Sequence, residues 1–274
     1  MNLNMDDDGF KLVKNRRRKR YKKSIDTIRH EYMNDIGTLN LNSKNDIVEK
    51  IQKCLYEISF FVKIFDTNLK EIIASHHHHD NRPSRIDQIV CFGLGNFTRS
   101  RSSLYQFALL KHLMEHDEFM HPSAKFIIYD PIFTESERNI LKSFGFQILQ
   151  NNNNCRYTIN RSSSSNESII LFFMPHMDYN HYYNVLDCNR ENIDHIIIFG
   201  NSFDNCMNET YFTEYSTDLR RFLQQIGSKK LKLIEHHLFG NKNDHFYNEI
   251  FYRQSLQRLF FISKTMIPSA SHKN

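Results

Sequence analysis

The chain has 274 residues, 40 % apolar and 24 % charged, with a formal net charge of +5. That length suits one large domain or two small ones, and eight glycines and five prolines exclude collagen-like and proline-rich disordered chains. No run of about 18 apolar residues occurs, which excludes a helical membrane span. The polar opening MNLNMDDD is expected to carry no secretory signal. Five cysteines, at 54, 91, 155, 188 and 206, are odd in number and form no C-x-x-C pair. They are expected to be reduced, mostly buried thiols, as in a protein of the cytoplasm and nucleus.

The positive charge sits in one place. Residues 14–23 read KNRRRKRYKK, and without this block the chain is close to neutral and slightly acidic. Residues 1–42 lack apolar periodicity and are expected to form a disordered basic arm. Within it, Arg16, Arg17, Arg18, Lys19 and Arg20 have the composition of a nuclear-import signal. A weaker alternative is contact with nucleic-acid phosphates; a solvated tail is the common outcome for such blocks.

From Ser43, with Asp46 three residues on, a capping box opens a helical pattern. Apolar residues then recur at spacings of three and four up to Ile73, as one long helix or two broken near Asp66–Asn68. Residues 43–82 thus read as a helical segment and linker, the linker holding the tract His76–His79. Short histidine tracts often bind metal only adventitiously, and no metal-ligating motif is identified.

Beyond Pro83 short apolar runs alternate with helical patterns. Strands are expected at 88–92, 125–129, 146–149, 168–174, 195–199 and 230–235. Helices are expected at 101–116, after a Thr134/Glu137 capping box and stopped by Gly145, at 178–188, at 217–226, and within 244–262. Residues 150–167, rich in Asn and Ser, read as an extended surface loop, and 265–274 as a flexible tail. Strands apolar on both faces, alternating with helices, specify an α/β fold. The expectation is a Rossmann-like three-layer sandwich of five or six mostly parallel strands over 83–264, preceded by the helical segment.

Open parallel sheets bind ligands beyond the carboxyl ends of their strands. Those ends carry Gly93, Gly95 and Asn96, then Asp130, then His176, then Asn201 and Ser202, then His236 and His237. Gly93-Leu94-Gly95 before a helix offers backbone N–H groups to an anion, with Arg99 and Arg101 as countercharges. The third glycine of the dinucleotide fingerprint is missing, and Asp130 lies 35 residues after Gly95 rather than about 20. A tight turn that binds nothing is the competing reading. His176 is a candidate general base or a turn-shaping histidine. No Walker A, nucleophile elbow or zincin motif is found, so no reaction and no cofactor is identified. The partners that fit are a small anionic ligand or other proteins, with no membrane.

Residues 91–110 (CFGLGNFTRSRSSLYQFALL), 129–134 (YDPIFT), 173–176 (FMPH) and 199–203 (FGNSF) resemble the sensitivity-to-red-light-reduced-like domain family. The stretch DHFYN at 244–248 resembles that family's region before its last helix, and 16–23 its N-terminal basic stretch. The resemblance implies regulation without a settled enzymatic activity. Plant members are linked to light signalling and the circadian clock, animal members to haem biosynthesis and clock-gene expression, and fungal members to microtubule-related processes. Two departures are expected to matter: Met177 stands where the family usually has Cys after Pro-His, and a Trp is absent around Leu186–Cys188.

Overall fold

Alternation of side chains along the strands dictates the layers. In a computed structural model of the chain, β4 (Ser168–Met174) and β5 (Ile196–Asn201) lie side by side in parallel. Phe172, Met174, Ile196 and Ile198 face one helical layer, in a core shared with Tyr182, Leu186, Leu219 and Phe222. Phe173 and Phe199 face the other layer, where Phe199 meets Phe65 edge-on at 5.4 Å between ring centroids. A period of two with both sets apolar is what a sheet covered on both faces requires. The residues described are 44–75, 84–159, 168–208, 217–227, 231–238, 250–251 and 254–261. The basic arm, the import residues 16–20, the His76–His79 tract, Ser43, the 244–248 stretch and the tail lie outside them.

Helices α1 (Lys44–Glu57) and α2 (Ser59–Ala74) come first. They are followed by β1 (Arg85–Phe92), α3 (Arg101–Met114), β2 (Met120–Tyr129), α4 (Glu135–Ser143) and β3 (Gln147–Ile148). After β4 come α5 (Tyr179–Cys188), β5, α6 (Phe203–Asn208), α7 (Thr217–Gly227), β6 (Leu231–His237) and β7 (Gln254–Phe261). The sheet has seven strands in the order β3-β2-β1-β4-β5-β7-β6. All pairs from β3 to β5 are parallel, while β7 runs antiparallel to both β5 and β6. The mostly parallel α/β architecture with a helical N-terminal segment is therefore the one expected from the sequence. Among the described residues no helix is long and apolar enough to cross a membrane.

Three expectations need correction. The N-terminal helices break at Ile58, not at Asp66–Asn68, which lies inside α2. Phe61, Phe65, Leu69, Ile72 and Ile73 bury one continuous face there, and that burial outweighs the weak helix propensity of Asp-Thr-Asn. Of the 244–262 stretch, expected to contain a final helix, the described residues Ile250 and Phe251 are helical, while Gln254–Phe261 form the strand β7. Leu256 and Leu259 suggest helical spacing, but Gln254, Ser255, Gln257 and Arg258 are buried as deeply by partners far away in sequence. Finally, the first half of the Asn-rich loop is packed down. Cys155 and Ile159 are buried in the core, and Asn189 of the α5 terminus accepts from the Ile159 N–H at 2.8 Å. Three successive residues there, Asn153 to Cys155, have positive φ, a conformation Asn tolerates better than most residues.

Candidate functional site at the carboxyl edge of the sheet

Parallel strands end on one edge, and β7, running the other way, begins there with Gln254 and Ser255. The order places the topological switch point between β1 and β4, where an open sheet leaves its crevice.

On the β1–β2 side the glycine turn is fixed by carboxylates. Asp130 is buried, and its two oxygens accept from the Gly95 N–H at 2.8 Å and the Ile132 N–H at 3.0 Å. Gly93 and Gly95 have φ of +72° and +81°, where a side chain is strained. A Cβ on Gly95 would lie 2.4 Å from Ser103 Oγ. Glu137, fully buried, does more than close the α4 capping box with Thr134. Its Oε2 accepts from Thr134 N and Oγ1, and its Oε1 from Thr98 N at 3.0 Å. One carboxylate thus ties the turn after β1 to the turn after β2. Asn96 Oδ1 accepts from Thr98 Oγ1, and the Asn96 carbonyl accepts from Arg99 and Ser100 N–H groups. Arg99 is exposed on this turn. Arg101 lies over a residue of its own helix, its guanidinium 5.7 Å from the Tyr105 ring centroid.

On the β4–β5–β7 side a second network gathers. His176 has φ +57°, uncommon for a residue with a side chain, and is exposed. Its Nε2 lies 2.9 Å from the Ile250 carbonyl and its Nδ1 3.2 Å from Gln254 Nε2. A carbonyl only accepts and an amide nitrogen only donates, so this pairing makes Nε2 the donor and Nδ1 the acceptor. Gln254 Nε2 also donates to Asn201 Oδ1 at 2.7 Å, and Asn201 Nδ2 donates to the Met177 carbonyl at 2.8 Å. Tyr182 Oη bridges the strand ends, donating to the Met174 carbonyl and accepting from Asn201 N–H, and burial pushes its pKa far up. Ser202 Oγ accepts from Asn205 N–H at the start of α6. Glu235 accepts from the N–H groups of Phe203 and Asp204.

Met177 joins the two networks. Its backbone carbonyl belongs to the second, while its side chain lies on Gly93 of the first. A Cβ at Gly93 would stand 2.1 Å from Met177 Sδ, so the thioether lies directly against Gly93 at the switch point. Two surface depressions lie elsewhere, one beside Met207, Arg220 and Gln224 and one beside Arg85, Met120 and His121. Cys91 lies at the end of β1, its thiol held well above the usual range by burial and then by Asp130. Burial likewise pushes Cys54 to about 11 and Cys155 to about 12, so these thiols are poor nucleophiles.

Of the residues singled out from sequence, Gly95 and Asp130 are bonded directly, and His176 and Asn201 meet through Gln254; the turn's glycine N–H groups, expected to be open to an anion, are instead taken by Asp130 and by the Tyr129 carbonyl. The sequence singles out none of Gln254, Tyr182 and Glu235. Tyr182 follows a strand end at helical spacing, but nothing local marks Gln254, which acts across 78 residues of chain.

A family model described as the SRR1 domain matches residues 61–259. An SRR1-like protein of Drosophila melanogaster is 27 % identical over 193 residues, 69 % of this chain and 61 % of that protein. The Arabidopsis thaliana protein Sensitivity to Red Light Reduced 1 is 29 % identical over 118 residues, 42 % of this chain and 40 % of its own length. The chain therefore spans less than two thirds of the curated relatives it matches. Among solved structures, the apo form of CalS11, a TDP-rhamnose 3'-O-methyltransferase, overlays with a TM-score of 0.41. It is 14 % identical and covers 93 % of this chain and 99 % of its own.

Proposed function

The chain belongs to the SRR1 domain family, and from that premise we propose that it is a regulatory component that senses a small nucleotide-like anion at the carboxyl edge of its sheet. The observation that carries this reading is Met177 lying against Gly93 at the switch point. Methionine is unbranched and adaptable, so a ligand displaces it without breaking a polar bond. Behind it stand the Gly93–Gly95 turn and the Asp130 carboxylate, each oxygen of which keeps a second lone pair for a ligand hydroxyl. Moving Met177 would be felt at Asn201 and Gln254 through the Met177 carbonyl. Light-type signalling is the setting that the name of the Arabidopsis relative supports, and clock-type signalling is one that the family resemblance implies. Regulation of haem biosynthesis is the other setting that the family resemblance implies. Entry to the nucleus as well as the cytoplasm would run through Arg16, Arg17, Arg18, Lys19 and Arg20.

A second reading, an enzyme using a nucleotide-type cofactor with His176 as base, is favoured by one observation. His176 is exposed, held in an uncommon backbone conformation and fixed in one tautomer, features that cluster at active sites. Thermal shift with adenine nucleotides and dinucleotides separates the two. A saturable rise in melting temperature, with the nucleotide recovered intact, supports sensing. Consumption of the nucleotide, abolished in His176→Ala, supports the enzyme. No shift with any of them rejects both. For import, replacing residues 16–20 by alanine should deplete a tagged protein from the nucleus, and an unchanged distribution rejects that role.

A further inference from the structure

Away from the carboxyl edge, three side chains meet where α2 packs beside α3. Asp66 lies within α2, His112 in the last turn of α3, and His116 in the turn that follows. Spacing of four residues puts the two imidazoles on one face. His112 Nε2 is 3.0 Å from each Asp66 oxygen, and His116 Nε2 is 3.9 Å from Asp66 Oδ2. All the ligand atoms lie within 4.8 Å of one another. Bonds of 2.0–2.1 Å in a tetrahedron put neighbouring ligand atoms about 3.3 Å apart, inside the range found here.

We propose that Asp66, His112 and His116 bind one divalent ion of the zinc class, leaving a coordination position to water. Two imidazoles and a carboxylate suit zinc or cobalt, whereas magnesium and calcium prefer all-oxygen shells. The protein's own hydrogen bonding accounts for the His112–Asp66 pair but not for His116. The single N–H at His112 Nε2 faces two oxygens at equal distance, and buried His116 Nδ1 has no hydrogen-bond partner. The His116 ring is already oriented by stacking on Phe119, with centroids 4.2 Å apart and planes 22° apart. All three side chains are about a quarter exposed, so an ion can enter from solvent. Metal-bound histidines usually donate their other ring N–H, and the lack of that bond at His116 costs about 10–100-fold in affinity. The ion is therefore exchangeable. Its consequence is mechanical: it clamps α2 to α3.

The test is a Co²⁺ titration of the full chain after chelator treatment, followed by visible absorption and by competition with Zn²⁺. One equivalent with a tetrahedral cobalt spectrum is expected. His112→Gln and His116→Gln should each lose the spectrum and weaken binding by more than about 100-fold, beyond what an outer partner contributes. A variant with His76–His79 replaced by alanine should keep both. If either glutamine variant fails to fold by circular dichroism, Asp66→Asn, which keeps the side-chain size, replaces it. Wild-type protein without the spectrum, a spectrum that survives these substitutions, or one lost with the 76–79 tract alone overturns the proposal.

Discussion

Glu137 and Asp66 are both carboxylates held between two elements, and they are held in opposite ways. Glu137 is fully buried and accepts from the backbone N–H groups of Thr98 and Thr134 and from the Thr134 hydroxyl, so each oxygen has a backbone donor, while the single Thr98 hydroxyl proton is shared with Asn96 Oδ1. Asp66, partly exposed, faces two imidazoles that share it. A buried carboxylate tolerates burial only when its donors are complete, and a complete set fixes geometry. An incomplete set at the surface costs less and leaves chemistry available. Shape at the carboxyl edge and ion binding at the α2–α3 seam follow from that difference.

The largest effect is expected at Glu137. Glu137→Ala leaves the Thr98 and Thr134 N–H groups without their acceptor, at about 1–3 kcal/mol each. Urea denaturation should show a loss of about 3–5 kcal/mol, with Glu137→Gln losing less because one oxygen still accepts. Next comes the crevice. Gly93→Ala brings a Cβ onto Met177 Sδ at φ +72° and should cost about 1–2 kcal/mol of backbone strain plus a smaller steric part, because the flexible thioether can yield. Met177→Ala in the same chain should recover the steric part and leave the backbone strain of about 1–2 kcal/mol. Additive losses in that double-mutant cycle would show that the two residues do not touch.

Asp187 lies between the extremes. Burial alone would raise its pKa, but the guanidinium of Arg190 and then that of Arg156 outweigh it and hold the carboxyl below its ordinary value. A folded-state pKa below the unfolded one adds stability above the unfolded value of about 3.9, lost as pH falls through the folded value. Asp187→Asn should therefore cost about 1 kcal/mol at pH 7 and nothing once acid protonates the wild-type carboxyl. The smallest effect belongs to the α2–α3 seam without metal. His116→Phe keeps the stack on Phe119 and removes a buried nitrogen that has no partner. Replacing such a group by an apolar ring is close to neutral, so stability should change by no more than about 0.5 kcal/mol. A loss as large as that of Glu137→Ala would show that the seam is fixed like the edge.

Sequence alone determined what rests on neighbours in the chain. The Thr134–Glu137 box, Gly145 at φ +89°, the apolar runs that became β1, β4 and β5, and the glycines after β1 are each local consequences of side-chain size, backbone freedom and period. Only the tertiary structure decided β7, because its buried polar residues find their partners elsewhere: Gln257 at the Asn201 carbonyl, Arg258 at the Ile72 carbonyl. Hydrophobic periodicity cannot signal a strand buried through polar groups. The same holds for the second bond of Glu137 to Thr98, the Gln254 link between His176 and Asn201, and Met177 on Gly93. His112 and His116 stood four apart in plain view, but a ligand set needs its carboxylate, and Asp66 arrives from 46 residues away when α2 packs beside α3.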